Sequence, residues 1–461
     1  MKNVMRVLAV LALLVTVPAW SQVEAYEYMG IDIRGFVSQG YLKSSDNNFF
    51  ADTEDGTTQF DEAAINFSAN VSDRLRIGLQ LLARDLGSVG NNEVVLDWAV
   101  ADYRWRDELG IMAGNMKLVM GLYNETRDLD MLRTFIFLPQ SVYNEGWRDS
   151  SSSIQGAGLY GDIPLSSLGT LSYDAQYGAV NMSDDKGADR LLEDQWPLAG
   201  IGLTVDVNDI DVDQTYAGSL KWITSLEGLV LGVSGWGYSF SADGTTILDT
   251  TALDTTNPAV SAIFGVLDQF GTQLTVPESR FDLDVYSFTG SVEYTWRNLV
   301  FAAEYMQTRY DIEMSNELFA QGAVFRDAIV AAGADVDASG RIKVPKFTSE
   351  GYYASLTYRF TPWFELGTYY SVYYPDKDDK NGDKRVNVRG IDTEKYRAWL
   401  KDTCVTARFD ITPNWILKLE GHKMDGAAIL LGADNPPPSD PAQPRYEEDW
   451  YLYAAKVTYS F

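Results

Sequence analysis

The last eleven residues, Tyr451-Leu-Tyr-Ala-Ala-Lys-Val-Thr-Tyr-Ser-Phe461, alternate strictly. Tyr451, Tyr453, Ala455, Val457, Tyr459 and Phe461 form one face; Leu452, Ala454, Lys456, Thr458 and Ser460 form the other. A period of two is the spacing of a β-strand, whose successive side chains point to opposite sides of the sheet. The same pattern recurs up the chain. Tyr286, Phe288, Val292, Tyr294 and Trp296 oppose Ser287, Thr289, Ser291, Glu293 and Thr295. Tyr352, Leu356, Tyr358 and Phe360 oppose Ser355, Thr357 and Arg359, and Leu75, Ile77, Leu79 and Leu81 oppose Arg76, Gly78, Gln80 and Arg84. Faces of Tyr, Leu and Phe backed by faces carrying Arg and Glu ask for hydrocarbon on one side and water on the other.

The connections between such segments alternate in length. Tight links fall at Ser72–Arg74, Arg106–Glu108, Ile163–Leu168, Thr224–Gly228, Arg297-Asn298, Thr361–Trp363 and Ile411–Asn414. Long ones fall near 43–58, 119–153, 181–212, 241–279, 312–346, 375–395 and 425–447, with a shorter one near 87–91. This predicts sixteen strands: 31–42, 59–71, 75–86, 92–105, 109–118, 154–162, 169–180, 213–223, 229–240, 280–296, 299–311, 347–360, 364–374, 396–410, 415–424 and 448–461. The expected fold is all-β, a closed antiparallel transmembrane β-barrel with short periplasmic turns and long extracellular loops. Closure matters because an open edge would leave backbone groups unpaired in lipid, at roughly several kcal/mol each. Trp105, Trp222, Trp296, Phe360, Trp363, Phe409, Trp415 and Phe461 cluster at the tight-turn end, where an interfacial girdle belongs.

Composition removes other classes. Asp+Glu number 65 against 37 Lys+Arg, so the formal net charge is −28. Such a chain repels phosphates, and no basic block offsets the acid, so a nucleic-acid partner is not expected. Cys404 has no disulfide partner within the chain, and His422 is the sole imidazole, which argues against a His-rich metal site. The amino-terminal residues read as a signal peptide: Lys2 and Arg6 precede the apolar run Val7–Val17, then Pro18 and Ala19-Trp20-Ser21. The run is far short of the ~20 residues a membrane helix needs. Cleavage after residue 21 would leave 22–461 as a single barrel domain.

The closing strand, ending on Phe461 with Tyr459 and Val457 on the same face, resembles the last strand of bacterial outer-membrane β-barrels. The resemblance implies that these three residues are the signal read by the barrel-assembly machinery. It also implies an outer-membrane location, in contact with lipid and lipopolysaccharide. With sixteen strands the chain resembles the Gram-negative porin superfamily, and Ala113-Gly-Asn-Met-Lys-Leu-Val-Met-Gly-Leu-Tyr123 looks like a segment of porins related to the phosphate-selective group. Phosphate specificity does not carry over from so short a match. Sixteen-stranded porins are commonly trimers, so the resemblance implies a possible homotrimer, and no cofactor is expected.

In such porins a long loop folds into the barrel and narrows it, and residues 119–153 occupy that position. The loop is rich in apolar residues between Leu129 and Leu138, so it needs a surface to pack on. Its charged residues Glu125, Arg127, Asp128, Asp130 and Arg133 are expected to line a constriction. The facing pore wall is expected to carry Arg76, Arg84, Lys221, Glu293, Glu304, Arg359, Arg408, Lys418, Glu420 and Lys456. Fixed charges across a narrow aqueous gap sort solutes by sign. The implied function is a water-filled channel for passive diffusion of small hydrophilic or ionic solutes. The alternative is a substrate-selective channel for hydrophobic or specific organic solutes. No enzyme is expected and no catalytic residue is assigned, because hydrolytic chemistry usually relies on His paired with Ser or Asp.

Two acidic stretches, Asp206–Asp213 and Asp376–Asp383, suggest calcium loops but lack the ligand spacing, and they read as solvated loops. Helix-spaced apolar residues at 253–273 and 316–333 suggest short helices over the external mouth.

Overall fold

The structure is a computed structural model that describes residues 26–28, 30–180, 203–249, 273–316, 335–337, 341–343, 346–387, 394–436, 438 and 443–461. The signal segment 1–21 and nearly all of the external helices expected at 253–273 and 316–333 lie outside these residues. No helix among the described residues is long and apolar enough to cross a membrane.

Sixteen strands form the wall. They are β1 (Ile31–Ser44), β2 (Asp61–Asn70), β3 (Leu75–Asp85), β4 (Val95–Arg106), β5 (Leu109–Lys117), β6 (Ser153–Pro164), β7 (Gly169–Ala179) and β8 (Leu203–Thr224). There follow β9 (Leu229–Asp249), β10 (Gln273–Trp296), β11 (Leu299–Asn316), β12 (Phe347–Thr361), β13 (Phe364–Tyr374), β14 (Leu400–Asp410), β15 (Trp415–Gly426) and β16 (Asp449–Ser460). Each pairs antiparallel with the next, and β16 pairs with β1 from Leu452↔Ser44 to Ser460↔Phe36, so the barrel closes. The closure is completed at the carboxyl terminus, where Gly35 and Phe461 exchange backbone hydrogen bonds of 3.0 and 2.9 Å. The Phe461 ring lies over Gly35, where an added Cβ would sit 2.6 Å from it. Position 35 therefore has room only for glycine.

Every expected strand is present, and the main correction concerns length. The loops placed at 181–212 and 241–279 are shorter than that, because β8 starts at Leu203, β9 runs to Asp249 and β10 begins at Gln273. Asp206–Asp213 is strand rather than loop. The reason is visible in β10, where the face polarity inverts along one strand. Tyr286 and Phe288 point outward and are exposed, while Ser287 and Thr289 face the lumen. Further toward the long loops, Phe281, Leu283 and Val285 are the inward, buried residues, and Asp282 and Asp284 alternate with them. On β8, Val207 is buried while Asp206, Asp209, Asp211 and Asp213 are exposed. Strands that leave the hydrocarbon zone have water outside, so their outer face becomes charged and their inner face becomes core. An alternation that changes phase reads as a loop when only one phase is sought.

The outward band within the bilayer is apolar and exposed, with Phe288 at 53 % and Phe360 at 54 %. Exposed apolar surface on this scale belongs in lipid. Trp105, Trp222, Trp296 and Trp363 are exposed at the tight-turn end, and Trp363, Phe364 and Phe409 stack there with centroids 5.2–6.3 Å apart.

Candidate functional site: a loop clamped inside the barrel

The loop from Leu118 to Ser152 packs against the inner wall. Its apolar segment enters two clusters. Leu138, Val142 and Tyr143 pack with Trp236, Tyr238 and Leu283 of β9 and β10. Ile136 and Phe137 pack with Phe49 and Phe60, with Trp450 and with Ala427–Leu431 from the last long loop. The Phe60 and Phe137 rings stack at 5.2 Å. Three long loops thus share one apolar core inside the external mouth, which is why a segment this hydrophobic can sit in a connection.

The charged residues form a clamp on that loop. Asp130 is at its centre, 1 % exposed. Its carboxylate accepts from Lys418 Nζ at 3.0 Å and from Thr458 Oγ1 at 2.7 Å, with Lys456 Nζ at 3.3 Å and Arg133 at 3.7 Å. Lys418 also donates to the Asp130 carbonyl at 2.7 Å, and Lys456 pairs with Glu62. Arg408 donates to the Met131 and Arg133 carbonyls at 2.8 and 3.0 Å. Glu420 accepts the backbone N–H groups of Ile136 and Phe137 at 2.8 and 2.9 Å.

Glu304 holds the start of the loop, accepting from Leu122 N–H at 2.9 Å, Tyr353 at 2.7 Å and Ser291 at 2.6 Å, as well as from Tyr143. Glu145 is bound by Arg84 at 2.6 Å and Arg127 at 3.0 Å. Asp128 pairs with Arg148 and Lys117. Burial alone would raise the Glu145 carboxyl, but the Arg127 and Arg84 guanidiniums outweigh it and hold it at about 2. Burial acts on Asp130 in the same way, and Lys418, Lys456 and Arg133 hold it well below the usual carboxylate range.

This arrangement changes the roles expected from sequence. Arg127, Asp128, Asp130, Glu304, Arg408, Lys418, Glu420 and Lys456 are buried, so they do not present charge to an aqueous gap. Most of their ion pairs and hydrogen bonds run across the loop–wall interface. Arg84 and Arg133 are partly buried in the same network. A second group remains open. Glu125 pairs with Lys221 at 3.1 Å, both substantially exposed, and Glu293 accepts from Tyr123 at 3.0 Å. Arg359 spans Glu365 at 2.6 Å and Asp410 at 2.7 Å.

Arg76 lies apart from these, in a cavity of about 910 Å³ at the tight-turn end beneath Leu129, Met131 and Leu132. Arg34 shares that cavity and is a residue the sequence reading missed, although its inward phase on β1 was available. Asp32, Asn66, Asn70 and Gln80 also line it. Neither arginine has an ion-pair partner among the described residues. Leu132 is 62 % exposed.

The loop expected at 375–395 is held by its own acids. Asp379 accepts the Lys384 and Arg385 N–H groups at 2.9 and 2.7 Å, capping a short helix (Asp383–Asn387).

No family model matches the chain, and no curated protein matches it. Among solved structures it is similar to outer-membrane expressed OmpT of Vibrio cholerae, with a TM-score of 0.50 at 8 % identity, covering 95 % of this chain and 100 % of that one. The anion-selective porin from Comamonas acidovorans gives 0.49 at 9 %, covering 94 % and 99 %. The outer membrane channel DcaP of Acinetobacter baumannii gives 0.47 at 11 %, covering 95 % and 100 %. Likeness at these identities is likeness of fold. What the chain shares with them is the closed sixteen-stranded antiparallel β-barrel.

Proposed function

We propose that the protein is an outer-membrane porin, a water-filled channel for passive diffusion of small hydrophilic or ionic solutes. The loop at 118–152 narrows it. The observation that carries this reading is the buried clamp on that loop inside a closed barrel, with a water-accessible, polar-lined cavity left beneath it. A barrel this wide has room for such a channel. The reading places the chain in the bacterial outer membrane after removal of its signal segment, among lipid and lipopolysaccharide. The barrel-assembly machinery would engage Val457, Tyr459 and Phe461, and the working unit would be a homotrimer. It includes no catalysis: His422, the only imidazole, is buried with both ring nitrogens on carboxylates. Purified, detergent-folded protein in planar bilayers is expected to give ohmic conductance steps; silence at every voltage and salt would overturn the reading.

A second reading is favoured by the cavity lining. Two arginines without ion-pair partners face an apolar shelf of Leu129, Met131 and Leu132. That pairing suits an organic anion with a carboxylate at one end and an alkyl or aromatic body. Charge-assisted hydrogen bonds contribute about 1.5–3 kcal/mol each. The double variant Arg34→Gln/Arg76→Gln is therefore expected to weaken block of the ionic current by hexanoate about a hundredfold or more. Its reversal potential in a KCl gradient should also move toward cation preference. Unchanged block would leave only the unselective channel.

A further inference from the structure

The chain has one cysteine and one histidine, and the barrel sets them opposite each other. Cys404 on β14 and His422 on β15 are register partners, and both are buried. The His422 Nδ1 lies 3.1 Å from the Asp402 carboxylate, and its Nε2 lies 3.1 Å from Glu420 Oε1. A carboxylate only accepts, so a ring bonded to one at each nitrogen carries both protons as an imidazolium. Ligand atoms of Cys404, Glu420 and His422 lie within 4.8 Å of one another. Phe135 and Phe137 of the constriction loop roof the group, the Phe137 ring centroid standing 6.3 Å from that of His422.

We propose that Cys404 Sγ, His422 Nε2 and a Glu420 oxygen bind a divalent transition metal of the zinc class, with Asp402 orienting the imidazole through Nδ1. Three protein ligands of sulfur, nitrogen and oxygen, leaving a fourth position open, suit such an ion. The carboxylate behind the histidine is the usual outer-shell partner. Calcium and magnesium prefer all-oxygen sites and are not matched here.

The exchange balances in protons and charge. The metal displaces the thiol proton of Cys404 and the Nε2 proton of His422, and both leave to solvent. Two positive charges replace two protons, so the net charge buried in the wall does not change. The site also accounts for a buried free thiol in a chain whose export signal directs it to a compartment where thiols are oxidised. Because Glu420 accepts the Ile136 and Phe137 N–H groups, a metal there would brace the loop from behind.

Cobalt(II) is the probe. It is supplied in one arm during refolding from urea into detergent micelles, when the loop has not yet covered the site. In the other arm it is added to the folded barrel. Expected in at least the first arm are one cobalt per chain, tetrahedral visible bands and a thiolate-to-cobalt charge-transfer band. Binding should also release two protons per ion in weakly buffered solution. Cys404→Ser should abolish the charge-transfer band, and Asp402→Asn should weaken binding by about ten- to a hundredfold. Heat-dependent gel migration checks that each variant has folded. No charge-transfer band in either arm, or a band that persists in folded Cys404→Ser, would overturn the proposal.

Discussion

Asp130→Ala is expected to destabilise the protein by about 3–5 kcal/mol, the usual consequence of leaving a buried charge without its partner. Asp130 is the common acceptor for Lys418, Lys456 and Thr458 and the near neighbour of Arg133. Removing it leaves Lys418, which is fully buried, facing only backbone carbonyls. Lys456 keeps Glu62. Much of the loss should appear as release of the loop rather than unfolding of the wall, whose strands are held by a backbone ladder that closes on itself. Two measurements follow: urea unfolding in detergent, and single-channel recording. The variant should show larger or noisier unit conductance than the parent, and deletion of residues 127–138 should raise conductance further. Adding Lys418→Met to Asp130→Ala should recover part of the stability, since a buried pair replaced by apolar side chains is often neutral. Conductance and unfolding midpoint both unchanged in Asp130→Ala would mean that the clamp does not hold the loop.

Acid is expected to open the same clamp, and only at low pH. The Glu145 carboxyl sits at about 2 in the folded protein against an ordinary 4.5. A group whose value is lowered on folding contributes its full stability above its unfolded value. That contribution is lost as pH falls through the folded value. Glu145 alone therefore contributes about 3 kcal/mol near neutrality. The loss should begin below about pH 4.5 and be complete only below about pH 2. Asp130, lowered further still, adds in the same direction. Pepsin offers a direct assay because it is active across that window. The loop should resist cleavage at the upper end and be cut between Thr134 and Leu138 near the lower end. Glu145→Gln should move the onset of cleavage to higher pH. Cleavage that is uniform across the window would remove these carboxylates from any role in holding the loop.

The alternation of Tyr451–Phe461, repeated in Leu75–Arg84 and Tyr286–Trp296, determined by itself that this is a barrel. The unequal spacing of the connections determined its sixteen strands and which end carries the long loops. Those features are local: side-chain period and turn length are properties of neighbouring residues. The position and apolar density of residues 119–153 likewise marked the loop that enters the lumen.

What the same residues do there depended on contacts between residues 18 to 328 positions apart. Asp130 meets Lys418 and Thr458, and Arg127 and Arg84 meet Glu145, so charges expected in water are buried in pairs. No local pattern distinguishes an inward lysine that faces water from one that meets a carboxylate arriving on a loop. The extensions of β8 to β10 were hidden for a related reason: their alternation continues, but its phase inverts where lipid gives way to water. The facing of Cys404 and His422 is likewise a matter of register between β14 and β15. In sequence they are one cysteine and one histidine eighteen residues apart, and only hydrogen-bonded pairing of the strands makes them neighbours.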